Sequence, residues 1–401
     1  MNDYPSNVKE KLNFIISDMA NPHWLFANRP GHDFIRQNHG KLSFYDTMRL
    51  IIGMGKGNTN DEIMDYFDLD PDRIPSQSAF NQRRSQISLS AFEYLFSEFS
   101  SAFPATTNTF KDHCILACDG CHVVYTTNSE IIEDFNKPHL IDYKGYNHMH
   151  LNGFVDVISK AFIDVVIQPG QKPDERQALH IMLDHFQPDE QDEFDVTIKR
   201  FLTDKKTNIM RSQSDVYRYM NPSKNIPHFQ QLLNHKHLYF MQFRVIKMKV
   251  AEDSYEYIIT NLPYSFDLED LKICYHWRWQ IEVAFRYLKH ANGLFYFHSK
   301  KPEYLKQEIY ANLILYNFGV FLANEAIQEN QKKKHRITNK YQYEVDFSSA
   351  LKISRKYFIR GRSSENRIIK LIAKYIHAVK CKFRQFSRPL RGIGAIHFGY
   401  R

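Results

Sequence analysis

The stretch from Cys114 to Phe186 restricts the fold more than any other part of the chain. Cys114–Tyr125 is an apolar run with a single carboxylate, Asp119, in its middle. Met149–Ile158 and Ala161–Ile167 follow. Both are rich in β-branched residues, and the two-residue Ser159-Lys160 spacer between them predicts a hairpin. Pro173 stands where helices start, so Asp174–Phe186 is expected to be helical. Three strands followed by a helix, with an acid set in the first strand, imply a mixed α/β sheet.

Residues 1–105 read as helices. Ile63, Met64 and Phe67 are apolar at helical spacing in Asn60–Phe67, and Thr59 is placed to cap that helix. After a loop punctuated by Pro71 and Pro75, Ser76 can cap a second helix. Gln77, Asn81, Gln82, Arg83, Arg84 and Gln86 give it a polar face. Two helices with such side chains on the second are what a helix-turn-helix reader of DNA requires, although an ordinary solvated face looks the same. Further along, Asp195–Leu202, Leu238–Val250 and Tyr255–Leu262 read as strands, with Lys alternating against apolar residues in Val245–Val250. Helices are expected near Leu268–His290 and from Pro302 to about Glu329.

Charge is unevenly spread over the 401 residues. From Gln331 to Arg401 there are 19 Lys and Arg against three acids, a balance of +16; the preceding 330 residues carry 34 bases and 42 acids. A basic segment interleaved with aromatics, as in Arg355-Lys356-Tyr357-Phe358, suits a polyanion such as nucleic acid, because each neutralised phosphate releases a counterion. No apolar run reaches the roughly 18–20 residues that cross a bilayer, the longest being Leu313–Ala323. Met1–Lys11 lacks the pattern of a secretory leader. Five cysteines without such a leader fit reduced thiols, so the expected location is cytoplasmic. The absence of a phosphate-cradling glycine loop and of a nucleophile elbow argues against an NTPase or an esterase.

Two groups of side chains leave alternatives open. Cys118-x-x-Cys121 is either half of a zinc site or a pair of buried thiols, with no second Cys or His pair at ligand spacing. His148 and His150 share a strand face or sit in a loop, and serve either as metal ligands or in hydrogen bonding.

The segment 275–289 carries the densest chemistry. On an ideal α-helix Tyr275, Arg278, Glu282 and Lys289 fall within one sector of roughly 60°, with Ile281, Ala284, Phe285 and Leu288 on the adjoining, core-facing sector. A solvated face with an Arg278–Glu282 ion pair would give part of this pattern. The full spacing, Tyr-x2-Arg-x3-Glu-x6-Lys, resembles the YREK signature of bacterial insertion-sequence DDE transposases of the IS-four family. Cys118-Asp119-Gly120 resembles the strand bearing that family's first catalytic Asp, and Lys144-Gly145-Tyr146 with His148, His150 and Asn152 resembles the segment after it.

This resemblance implies an α/β, ribonuclease-H-like mixed sheet interrupted by a β-rich insertion. The expected organisation is a helical DNA-binding region at 1–105, catalytic parts at 106–193 and 264–330 around an insertion at 194–263, and a basic helical C-terminal tail at 331–401. It further implies Asp119 and Glu282 as catalytic ligands of Mg²⁺ or Mn²⁺, and Tyr275, Arg278 and Lys289 as DNA-binding residues. The expected partners are transposon ends and target DNA, with a homodimer on DNA and no membrane. The family's second Asp ends a strand after the helix expected at 174–186. Here the chain runs through Asp184-His185-Phe186-Gln187-Pro188-Asp189 instead, with Asp204 the best stand-in. The simplest reading is loss of a segment near 187–193. The alternative function is therefore a DNA-binding relic with impaired catalysis.

Overall fold

The computed structural model describes residues 7–28, 42–103, 109–136, 145–182 (without 172, 176, 179 and 180), 198–203, 217–219, 237–262 (without 252, 253 and 261), 265–332 and 342–379. The chain divides into two compact units, residues 1–186 with 278–401 and residues 187–277.

In the first unit five helices, α1 (Val8–Ala20), α2 (Phe44–Gly53), α3 (Thr59–Tyr66), α4 (Gln77–Arg84) and α5 (Leu89–Ser101), precede the strands β1 (Leu116–Tyr125), β2 (Phe135–Asn136), β3 (Tyr146–Asp156) and β4 (Phe162–Pro169). β3 is central and antiparallel to all three others. The β-branched and aromatic content of these segments suits a pleated, covered surface. Alternation along β1 and β3 sorts their residues between two faces. Asp119 lies opposite Gly153 and Cys121 opposite Leu151 on one face; Gly120 opposite Asn152 and His122 opposite His150 occupy the other. Cys118 and Cys121 therefore point to opposite faces, which removes the half zinc site from consideration. On the His122 face, Ala178 and Met182 from the helical residues between 175 and 182 pack against Phe154.

The hairpin forms where expected, with a longer turn. The strands stop at Asp156 and restart at Phe162, and Lys160 takes a positive φ of 68° in between. Two ties hold that turn to the long helix that follows the second unit: Tyr316 Oη donates to Lys160 O and Asn324 Nδ2 to Ser159 O.

The second unit contains β5 (Ile198–Thr203), β6 (Tyr217–Tyr219), β7 (Leu238–Ala251), β8 (Ser254–Thr260) and α6 (Leu268–Trp277). Its strands form one sheet in the order β6-β5-β7-β8, antiparallel except for β5–β6. This β-rich unit spans residues 187–277, a stretch that contains the 194–263 segment expected as an insertion. Asp184 and Asp204 lie outside the described residues.

The chain returns to the first unit with α7 (Trp279–Arg286), a π-helical turn (Tyr287–Asn292) and the 31-residue α8 (Pro302–Lys332). α8 is the axis of the helical core, packed by α2, α5 and β4. The apolar run Leu313–Ala323 lies within it, buried throughout and flanked by half-buried Asn312 and Asn324. Among the described residues no helix is long and apolar enough to cross a membrane. Asn317, fully buried, repays its polarity. Its Oδ1 accepts from Phe162 N at 2.9 Å, and its Nδ2 donates to Phe162 O at 2.7 Å and to Ser100 Oγ at 3.0 Å. One amide thus joins α8 and α5 to the start of β4. Asn317→Ala strands the peptide group of Phe162 and is expected to cost about 1–3 kcal/mol, read as a lower urea midpoint.

The last described elements are β9 (Gln342–Val345), α9 (Phe347–Arg360), α10 (Glu365–Ile372) and β10 (Ile376–Val379), β9 and β10 forming an antiparallel pair. The basic region beyond 331 is expected as a tail, yet residues 342–379 are part of the first unit's core. Glu365 Oε1 and Oε2 accept from Val8 N and Lys9 N, capping α1 from 357 and 356 residues away. Lys9 Nζ in turn donates to Tyr357 O and Gly361 O at the C-terminus of α9. Burial, then repulsion from Arg49, pulls the Lys9 ammonium down to about 8. Arg355 and Arg360 pair with Glu62 and Asp65 of α3, each at 2.7 Å. Part of the surplus positive charge is therefore paired with acids of the same unit, Arg355 half-buried and Arg360 at the surface.

Two expectations for α3 and α4 also change. Asn58, not Thr59, caps α3, in a reciprocal box with Asp61. Ser76 caps α4 as expected, but Arg84 at its end is 1% exposed and cannot reach DNA.

Candidate active site

Asp119 sits near the middle of β1, half-buried, with Oδ1 accepting from Gly120 N at 2.8 Å. Its cross-strand partner Gly153 has no side chain, and that gap matters: a Cβ there would meet the Phe162 ring at 3.0 Å and the Phe285 ring at 3.6 Å. Phe285 is on α7, so α7 lies against the face of the sheet that bears Asp119, and it packs on both β1 and β3. Ile281, Ala284 and Phe285 form its buried side, and the Phe285 and Phe162 rings stand 5.4 Å apart. Glu282, in the first turn of α7, is half-buried and belongs to the same unit as Asp119.

The line of four residues read from an ideal helix is broken twice. Arg278 is a turn residue between α6 and α7, with φ −48° and ψ −35°. From Tyr287 the winding loosens into a π turn, closed by Gly293 in the left-handed region at φ 97°. A π turn adds a residue per turn, so Lys289 is rotated away from where 100° per residue would put it. It bonds the Cys121 side chain, two residues along β1 from Asp119 on the same face. Burial pushes the Cys121 thiol up to about 11 against the pull of the Lys289 ammonium. Cys121 is a site residue that the signature does not name; its only sequence signal is the i+2 spacing from Asp119.

Arg278 is exposed, with its guanidinium 4.8 Å over the Trp279 ring. Tyr275, half-buried on α6, belongs to the second unit and Arg278, Glu282 and Lys289 to the first. The structure thus gathers Asp119, Glu282 and Lys289 from strand, helix and π turn within one unit.

Two half-exposed carboxylates are hard oxygen donors. Their chemistry fits a small divalent cation that keeps several waters and takes only one or two protein carboxylates. Among the described residues no third His, Cys, Asp or Glu completes a metal-holding group.

Residues 111–318 match the family model described as transposase DDE domain. The Escherichia coli K12 protein described as putative transposase InsL for insertion sequence element IS186A is 36% identical over 87 residues. That stretch is 21% of this chain and 22% of the relative. The Escherichia coli transposase for insertion sequence element IS421 matches to the same extent. The matched stretch spans about a fifth of the length of these curated relatives.

Proposed function

From the premise that this chain belongs to the DDE transposase family of insertion sequences, we propose that it cleaves and joins DNA strands at insertion-sequence ends, with Asp119 and Glu282 as its acids. The observation that supports this reading best is the packing of α7 on the Asp119 face of β1 and β3, with both carboxylates left half-exposed.

Members of this family use divalent metal, and here the acids suit Mg²⁺ or Mn²⁺. Bound to them, the ion would activate the attacking water or 3′-hydroxyl and stabilise the leaving oxygen. The protein's own part is positional. β1 holds Asp119 in a rigid strand, and Phe285 against Gly153 sets the height of α7 and hence of Glu282. Arg278, stacked on Trp279, offers a planar fork to a phosphate; Lys289, braced by Cys121, offers a point charge beside Asp119. Tyr275, on α6 of the second unit, is proposed as a further DNA contact in its own right. Transposon ends and target DNA are the proposed substrates, bound by a homodimer, in a ribonuclease-H-like catalytic domain. The proposed location is the cytoplasm, at the nucleoid.

The second reading is a DNA-binding chain with impaired chemistry. It is favoured by the absence, among the described residues, of a third metal-holding side chain beside the two acids. Incubating the chain with a plasmid that carries the element's own ends separates the two readings. Nicking that requires Mg²⁺ or Mn²⁺ supports the first; salt-sensitive binding without nicking supports the second. In either case, binding to a DNA duplex should weaken uniformly in Arg278→Ala and in Lys289→Ala. Each variant is expected to lower the slope of log K against log salt by about 1.

A further inference from the structure

The face of the sheet turned away from Asp119 carries a cluster that the proposed reaction does not use. His148 and His150 are alternate residues of β3, so they project to the same side, and His122 of β1 lies directly opposite His150. The His122 ring is 4.6 Å from that of His148 and 5.1 Å from that of His150, centroid to centroid. His148 and His150 are each 5% exposed, while His122 opens to solvent.

Three ring nitrogens in this cluster have no hydrogen-bond partner: Nδ1 of His148 and both Nδ1 and Nε2 of His150. Asn152 Oδ1, next along the same face, is also unsatisfied. Leaving such groups dry and unpaired is costly, and native proteins seldom do so without a ligand or a function. The Glu175 carboxylate approaches His150 Nε2 at 3.3 Å, close enough for attraction but not aligned as a hydrogen bond. The His148 ring bonds the Gly170 backbone, which leaves Nδ1 as its spare nitrogen. Gly120 also fits this use of the face. A Cβ at that position would run into His150 Nε2 and crowd Glu175 Oε1 and Asn152 Oδ1, so the glycine keeps the space open.

We propose that His122, His148 and His150, with Glu175 as a fourth ligand, bind a divalent transition ion of the zinc type. Imidazole nitrogens suit Zn²⁺, and three histidines with one further oxygen donor make a tetrahedral set. Hard Mg²⁺, which prefers an all-oxygen shell, is disfavoured here. The donor atoms are not already gathered on one point, since among the described residues no such group stands ready-made. Binding requires the three rings to turn about χ1 and χ2, and the open side at His122 gives the ion its way in. Filled, the site would tie β1 to β3 and to the helical residues that begin at Glu175, bracing from behind the strand that holds Asp119.

The test uses the untagged full chain, stripped with a chelator and titrated with Zn²⁺ alone, then with Co²⁺ to read the visible band of a tetrahedral site. The expected result is about one Zn²⁺ per chain and a tetrahedral cobalt spectrum. His122→Ala, an exposed substitution that should fold, is expected to weaken binding by roughly tenfold or more, as is His150→Ala. Asp119→Asn/Glu282→Gln should bind zinc like the parent. No bound zinc, unchanged affinity in a folded His122→Ala/His150→Ala chain, or zinc lost with the two acids would each overturn the proposal.

Discussion

Asp119→Asn and Glu282→Gln are each expected to reduce strand cleavage on the order of 10³-fold or more while leaving circular dichroism and duplex binding unchanged. Each replacement removes one hard, anionic ligand from a site where, among the described residues, no third metal-holding side chain stands beside the two acids, and metal stabilisation of the transition state amounts to several kcal/mol. Both side chains are half-exposed, so the amides meet water rather than a dry core. Lost cleavage with intact folding therefore reports on chemistry. If cleavage survives either substitution, that residue is not a catalytic ligand.

The largest expected effect on stability lies elsewhere, at Arg84. Its Nη1 meets Glu308 Oε1 at 2.7 Å, its Nε donates to Gln307 Oε1 at 3.1 Å, and its Nη2 donates to Tyr304 O at 2.6 Å. Glu308 Oε2 also accepts from His298 N at 2.9 Å, and the His298 ring reaches Gly57 O at 3.1 Å. α4, the loop before α3 and the segment after the π turn thus converge on one buried carboxylate. Burial works against its ionised form, but the Arg84 charge and the His298 bonds prevail and hold it below the usual carboxylate range. Arg84→Met removes the guanidinium that faces that buried charge and should destabilise the chain by about 3–5 kcal/mol, measured by urea unfolding. A double replacement with Glu308→Leu is expected to cost less than the two single changes added together. Because the carboxyl is depressed in the folded chain, the contribution is complete above its unfolded pKa. It is lost as the pH falls through the folded one.

What the sequence disclosed is mostly local. An apolar run marked β1, β-branched runs marked β3 and β4, Ser76 marked the start of α4, and the Tyr, Arg, Glu and Lys spacing marked the helix that carries Glu282. What it withheld depends on pairing across the fold. Arg84 reads as a solvated DNA contact until α8 brings Glu308 to it, because nothing near Arg84 in the chain marks it as buried. The basic C-terminal region reads as a tail until Glu365 is seen capping α1 and Arg355 is seen on Glu62. The π turn, which moves Lys289 onto Cys121, leaves no trace in a pattern read at 100° per residue. His148 and His150 were visible as a pair, but only the β1–β3 register adds His122. Asp204, the best stand-in for the family's second acid, and Asp184, the weaker one, lie outside the described residues.

Everything proposed for this chain's chemistry depends on a strand acid and a helix acid sharing one cation. A Mn²⁺ titration followed by electron paramagnetic resonance tests this most directly, run on the parent, on Asp119→Asn, on Glu282→Gln and on the double variant. Shared ligation predicts that each single variant loses the parent's bound Mn²⁺ and that the double variant loses no more. Independent, additive losses, or parental binding in either single variant, would contradict it.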